Sequence, residues 1–342
     1  MNDNITPYVR YIGADDKDLD LFESQYVVPQ GISYNSYVIT DEKIAVMDTI
    51  DQRKTEEWTV RLEEALEGRT PDYLIVQHME PDHAANIGWF AEKYPEATIV
   101  ASAKAIQMMP QFFEEVNFAG RTQTVKEGDT LCLGQHTLKF IMAPMVHWPE
   151  VMLTYEESEK ILFSADAFGK FGALCHEGEW IDEARRYYFN IVGKYGAQVQ
   201  ALLKKAAGLD IAMICPLHGP VLKENLGYYI GLYDTWSKYE PETEGVVVAY
   251  ASIHGNTAAA ARRMAEILSE KGAAEVMLID LCRDDMALAV ESAFRYSKMI
   301  VAASSYDAGV FPPMFDFLHH LQIKNFQKRR VGIIENGSWA PT

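Results

Sequence analysis

The chain has 342 residues, 48% of them hydrophobic and 23% charged, which suits two domains that each bury a core. Its formal net charge of −18 argues against nucleic acid and anionic membrane surfaces as partners. Met1-Asn2-Asp3-Asn4 lacks the basic and apolar parts of a signal peptide, and no apolar run nears the roughly 20 residues that span a bilayer, so a soluble cytoplasmic protein is expected. Cys132, Cys175, Cys215 and Cys282 are scattered with no Cys-x-x-Cys pair. This disfavours an all-cysteine metal site and a disulfide framework, and predicts reduced, mostly buried thiols.

In chain order, Tyr26-Val27-Val28, Tyr34 to Ile39 and Lys43 to Met47 alternate as strands, with a hairpin tip at Asp41-Glu42. Glu56 to Glu67 has helical spacing, with Trp58, Leu62 and Leu66 on one side. The apolar strand Tyr73 to Val76 then delivers His78-Met79-Glu80-Pro81-Asp82-His83, four metal-capable side chains within six residues. Crowded like charges at a strand end repel and resist desolvation, so a bound cation would compensate them. Asp82 or His83 is expected to begin a helix running from Ala84 to Lys93. A strand at Thr98 to Ala101 and a helix from Ala103 to Glu115 follow.

From Thr122 to Tyr155 short strands and turns return, and Pro144-Met145-Val146-His147-Trp148-Pro149 lies among them. The strand Lys160 to Ser164 leads to Asp166-Ala167-Phe168-Gly169. Helices are predicted over Asp182 to Ile191 and Gly196 to Ala207, and the strand Ile211 to Cys215 leads to Pro216-Leu217-His218-Gly219. Two mixed sheets covered by helices are implied. Four strand ends therefore offer seven ligands, His78, Glu80, Asp82, His83, His147, Asp166 and His218, enough for two metals and a bridging carboxylate. His176, in Cys175-His176-Glu177-Gly178, is the runner-up ligand. His136 reads as a hairpin-turn residue, His319-His320 as a solvated helix end, and Tyr26 and Tyr195 as core residues rather than proton donors.

Tyr239-Glu240-Pro241-Glu242-Thr243-Glu244-Gly245 reads as a solvated linker, which divides the chain into domains 1–243 and 244–342. Beyond it strands and helices alternate. The strands are Val246 to Ala251, Glu275 to Ile279, Met299 to Ala303 and Val331 to Glu335; the helices are Ala258 to Lys271, Met286 to Phe294 and Met314 to Leu321. Three loops follow strands: Ser252-Ile253-His254-Gly255-Asn256-Thr257, Ser304-Ser305-Tyr306-Asp307-Ala308-Gly309 and Asn336-Gly337-Ser338-Trp339. The first joins a buried strand to a helix N-terminus, a phosphate cradle without the Walker lysine or the Rossmann glycine pattern.

His-x-His-x-Asp-His opens the site of zinc hydrolases with the metallo-β-lactamase fold. Here Glu80 replaces the second histidine, and a hard oxygen ligand favours iron or manganese over zinc. The set His78-x-Glu80-x-Asp82-His83, His147, Asp166 and His218 resembles that of the flavodiiron proteins. The resemblance implies an αββα metallo-β-lactamase-like sandwich followed by a doubly wound, flavodoxin-like parallel sheet. It places His78, Glu80 and His147 on one iron and Asp82, His83 and His218 on the other, with Asp166 bridging. It puts FMN on Ser252, Ile253, His254, Gly255, Asn256, Thr257, Ser304, Ser305, Tyr306, Asp307, Asn336, Gly337, Ser338 and Trp339, the last stacking on the isoalloxazine.

A flavodoxin-like domain would continue past Thr342 with helix, strand and helix. Their absence from the sequence predicts an exposed apolar edge at Val331 to Glu335. The implied activity is reduction of O2 to water or of NO to N2O. Electrons would come from an external donor such as rubredoxin or a flavin reductase, and the assembly would be a head-to-tail homodimer or a dimer of such dimers. Two alternatives stay open: a zinc hydrolase, and a flavin electron carrier or redox sensor with a non-catalytic metal site.

Overall fold

A computed structural model describes residues 4–176 and 178–337. The chain forms two compact units, Met1–Ala184 with Ala201–Ile230, and Arg185–Gln200 with Gly231–Thr342.

In the first unit, a six-stranded sheet runs in the order Val9–Tyr11, Tyr37–Thr40, Ile44–Met47, Tyr73–Val76, Thr98–Ser102, Thr122–Val125. A five-stranded sheet runs Thr130–Cys132, Thr137–Met142, Met152–Glu156, Ile161–Phe163, Met213–Cys215. Val9, Ile39, Met47, Ile75 and Val100 of the first meet Leu138, Phe140, Met152 and Phe163 of the second in one buried cluster, so the sheets pack face to face. Each such side chain contributes about 1.5–3 kcal/mol by leaving water. Helices Thr55–Leu66, which buries Trp58, Leu62 and Leu66, and Ala103–Phe112 pack on strands of the six-stranded sheet. This is the expected αββα sandwich.

Two local departures position the site. The expected continuous strand from Tyr34 to Ile39 is interrupted between Ile32–Tyr34 and Tyr37–Thr40. There the Asn35 amide donates to the carbonyls of Pro216 and Gly219, both at 2.8 Å. The helix after the opening motif starts at Pro81, spans Pro81–Ala84, and breaks before Ile87–Lys93. Proline suits the first helical position, where no amide hydrogen is needed, and Asn86 at the break donates to the Ile50 carbonyl instead. The thiols are also less enclosed than expected, because only Cys215 is buried and Cys132 and Cys175 are exposed.

In the second unit, Val276–Asp280, Thr243–Ala251, Tyr296–Tyr306 and Arg330–Asn336 lie side by side in that order, all parallel. The order reverses beside Thr243–Ala251, the switch point at which doubly wound sheets bind ligands. The helices Asn256–Glu270, Met286–Arg295 and Pro312–Ile323 connect the strands. On the outer strand Val331 and Ile333 are 45% and 79% exposed.

The linker expectation fails at Glu242. Its carboxylate accepts from the buried Arg185 guanidinium at 2.6 Å and from the Trp236 indole at 2.7 Å, while Arg185 also reaches Glu291 at 2.8 Å. This buried ion triad fastens the Arg185 segment to the second unit. Glu244 does face water, beside Lys298.

Candidate metal centre and flavin pocket

The loop after Tyr73–Val76 is fixed by two buried carboxylates. Asp48, held at φ +54°, accepts from the Gln77 amide nitrogen at 2.7 Å and its side chain at 2.8 Å. Oε1 of Glu150 accepts from the Met79 amide at 2.8 Å and lies 2.8 Å from His78 Nδ1. Pro81 then starts the helical turn that carries Asp82 and His83. His147 follows the strand Thr137–Met142, Asp166 follows Ile161–Phe163, and His218 follows Met213–Cys215. Nδ1 of His218 lies 2.7 Å from the Ser33 carbonyl, which the strand interruption at Asn35 holds beside it.

All seven expected ligands converge, in two sets. In the first, His78 Nε2 lies 3.2 Å from Glu80 Oε2 and from Asp166 Oδ2, and His147 Nε2 lies 3.0 and 2.9 Å from the same two atoms. In the second, Asp82 Oδ2 lies 3.3 Å from His83 Nε2 and 3.2 Å from His218 Nε2, and those two nitrogens are 3.1 Å apart. Asp166 divides between them. Its Oδ2 faces the first set, while Oδ1 lies 3.2 Å from His83 and 3.8 Å from His218. His83 thus turns inward. His176 is exposed and belongs to neither set.

The donor chemistry fits two cations. Both oxygens of Asp82 and Oδ1 of Asp166 are buried yet make no geometrically sound hydrogen bond. Among the described residues no lysine or arginine pairs with Glu80, Asp82 or Asp166. Burial works to lower His147, yet Asp166 and Glu80 raise it to about 9. Burial likewise disfavours charge on Glu80, but the His147 and His78 imidazoles hold it well below the usual carboxylate range. Burial pushes Asp82 up to about 7 against the counter-charge of His83. Two imidazole nitrogens aimed at each other and carboxylates without partners are an expensive arrangement unless a cation lies between them. At each position one hard carboxylate, two imidazoles and one oxygen of the shared Asp166 suit iron.

Sequence reasoning missed three residues. Asp48 and Glu150 lack any local signal, because they contact the motif from 29 and 72 residues away. Glu23, at φ +48°, lies close enough to Glu80 to feel its charge, and burial together with that charge raises its carboxyl to about 7. It lines a cavity of 260 Å³ with Phe22, Tyr34, Arg53, Glu80 and Asp82. Tyr26, set aside on sequence, also lies close enough to Glu80 to feel its charge, whereas Tyr195 sits in a turn of the second unit. His136 is a buried partner of Asp41, with 2.8 Å between Nδ1 and Oδ2.

In the second unit, Ser252, Ile253, His254, Asn256, Thr257, Ser304, Ser305, Tyr306, Asp307, Asn336 and Gly337 line one cavity of 420 Å³ at the carboxyl ends of the strands. Gly255 takes φ +88°, which a side chain would resist, and caps the helix Asn256–Glu270. Its amide donates to Ser252 Oγ at 3.1 Å. Thr257 Oγ1 ties the three loops together, 3.0 Å from Ser304 Oγ and accepting from Asn336 Nδ2 at 3.2 Å. Free amides at a helix start, ringed by hydroxyls, fit a phosphate. Ser338 and Trp339 lie outside the described residues.

An αββα sandwich with a two-metal ligand set, together with a doubly wound sheet that holds a phosphate cradle at its switch point, defines a two-cofactor redox protein class. A family model described as ODP family beta lactamase matches residues 32–219. The anaerobic nitric oxide reductase flavorubredoxin of Aliivibrio fischeri is 29% identical over 99% of this chain and 70% of its own. Among solved structures, the flavodiiron protein from Giardia intestinalis superposes with a TM-score of 0.93 at 26% identity, covering 100% of this chain and 85% of that one. The rubredoxin oxygen:oxidoreductase of Desulfovibrio gigas gives 0.92 at 26%, covering 98% and 86%. The chain belongs to the flavodiiron protein family. Among the described residues no helix is long and apolar enough to cross a membrane.

Proposed function

We propose that the protein reduces O2 to water, NO to N2O, or both, with electrons passed from FMN to a diiron centre. The carrying observation is the split Asp166 carboxylate, which turns one oxygen to each of two complete ligand sets. In this reading His78, Glu80 and His147 would hold one iron, Asp82, His83 and His218 the other, and Asp166 would offer one oxygen to each. When bound, the irons supply redox equivalents and Lewis acidity, and the flavin supplies electrons.

The chain's own residues do the rest. Glu150 and the Ser33 carbonyl orient His78 and His218. The Trp148 ring stands edge-on to His78 at 5.3 Å, and Phe22 to His218 at 5.5 Å, so apolar surface flanks the cluster and keeps bulk water off it. The amides at the start of Asn256–Glu270 and the hydroxyls of Ser252 and Thr257 would hold the flavin phosphate.

The two cofactor sites belong to different compact units, which supports a head-to-tail homodimer in which one copy's flavin serves its partner's irons. A donor such as rubredoxin or a flavin reductase would refill the flavin, and the cytoplasm is the compartment that fits such a protein. Sedimentation showing a fully active monomer would overturn the dimer.

The deciding experiment is anaerobic consumption of each gas by the chemically reduced protein, run beside its iron and flavin content. Two irons, one flavin and gas uptake are expected. Two zincs with thioester or lactam turnover would assign a hydrolase instead, and flavin without gas uptake an electron carrier.

A further inference from the structure

We infer that the two metal positions are built unequal: Glu150 makes the position held by His78, Glu80 and His147 the first to fill and the last to empty. The inference rests on the ligand assignment above. It arises from what stands behind His78, His83 and His218, at the nitrogen facing away from the cluster.

Behind His78, Nδ1 meets a carboxylate, Glu150 Oε1, at 2.8 Å. Behind His218, Nδ1 meets a neutral carbonyl, that of Ser33, at 2.7 Å. Behind His83, Nδ1 is buried and has no hydrogen-bond partner. A proton donated to a carboxylate shifts electron density toward the ring's other nitrogen and makes it the stronger donor to a metal. A carbonyl does this less, and an absent partner not at all. Orientation follows the same ranking, because a ring held at its rear loses less freedom when its front nitrogen is engaged.

Glu150 is itself well fixed. It is 1% exposed, its Oε1 also accepts from the Met79 amide at 2.8 Å, and its backbone carbonyl accepts from Ser102 Oγ at 2.7 Å. The carboxylate is therefore anchored through Oε1, its Oε2 is buried without a partner, and water does not screen it. It acts through His78 and is a positioning residue.

The test is titration of the metal-stripped full chain with cobalt(II), followed by calorimetry and visible absorption. The wild type should bind two ions in separate steps. His147→Ala should remove the tight step and His218→Ala the weak one, which assigns the order without altering Glu150. Glu150→Gln keeps an acceptor oxygen for His78 and removes the charge; it should weaken the tight step about 10–100-fold while moving the weak step by less than about 3-fold. Glu150→Asp, which restores the charge one methylene short, should recover part of the loss and stands in should the glutamine variant fail to fold.

A residue that merely supported the fold would weaken both steps alike. That result overturns the inference, as do two equal steps in the wild type, a weak step lost with His147→Ala, or an unchanged tight step in the Glu150 variants. Fewer than two cobalt ions bound by the wild type would instead overturn the two-metal assignment itself.

Discussion

The metal cluster and the flavin pocket present opposite solutions to holding a cofactor. Six of the seven side chains in the cluster are buried, with Glu80 half-buried, and they gather three carboxylates where water cannot reach them. The flavin pocket is lined by residues at strand ends, at a helix start and in the turns beside them, of which Ile253, His254, Asn256, Tyr306, Asp307 and Asn336 are exposed. Its polar groups keep their hydration when nothing is bound. The cluster opposes folding of its own unit unless a cation is present, whereas the pocket costs its unit little.

That contrast sets the size of what each perturbation should do. The largest effect belongs to the cluster's chemistry. Glu80→Ala removes an oxygen that faces both His78 and His147. It should lower gas reduction by more than about 100-fold, the upper range for merely supporting residues. Stopped-flow consumption beside iron analysis measures it, and retained activity with full iron content would break the assignment of Glu80.

Next comes removal of the metal. At free metal about 1,000-fold over its dissociation constant each site adds about 4 kcal/mol, so two add about 8 kcal/mol. For a unit of this size that should lower the midpoint on chelation by roughly 15–30 °C. Scanning calorimetry should show the first unit's transition moving while the second's stays in place. Equal movement of both would show that the two units do not differ in their debt to a ligand.

The same contrast explains what could be read from the sequence. The cluster was legible because its ligands are chemically distinctive and each follows a strand, so chain order alone brought out His78 to His83, His147, Asp166 and His218. Its supports were not. Glu150 contacts His78 across 72 residues, and Glu23 meets Glu80 only because a two-strand ribbon, Leu21–Phe22 with Tyr26–Val27, folds it there. The break at Asn35 was missed although Asn35-Ser36 interrupts the hydrophobic alternation, and its cause is a pair of distant carbonyls beside His218. Glu242 was misread because charge and proline make a linker-like composition, while its partner Arg185 lies 57 residues away. The four parallel strands of the second unit were legible as apolar runs, but their phosphate loop is built from backbone, which sequence pattern reports only faintly.

Arg185 offers a way to place a cluster-like vulnerability in the unit that otherwise lacks one. Its guanidinium is 2% exposed between Glu242 and Glu291, and burial works to raise the Glu291 carboxyl against the arginine's charge. Arg185→Ala strands both carboxylates and should destabilise the second unit by about 3–5 kcal/mol. Arg185→Met with Glu242→Gln and Glu291→Gln should recover much of that loss, because hydrogen-bonding amides no longer need a counter-charge. Denaturant unfolding read from flavin release and from circular dichroism separates the two, and no loss in the alanine variant would show that the triad is idle.

The smallest effect tests the claim that the flavin pocket tolerates change. Thr257 Oγ1 is the atom shared by the three loops, and Thr257→Ala deletes its contacts to Ser304 and Asn336. Ser304 is only half-buried and Asn336 is exposed, so water can replace what is lost. The net cost should therefore be near 1 kcal/mol, or about a 5-fold weaker flavin complex. Fluorescence titration of FMN into the flavin-free chain measures it, with iron content as the control that should not move. A loss of 100-fold or more would mean that the loops are held as tightly as the metal ligands. The contrast between the two sites would then lie in exposure alone and not in how rigidly each is preformed.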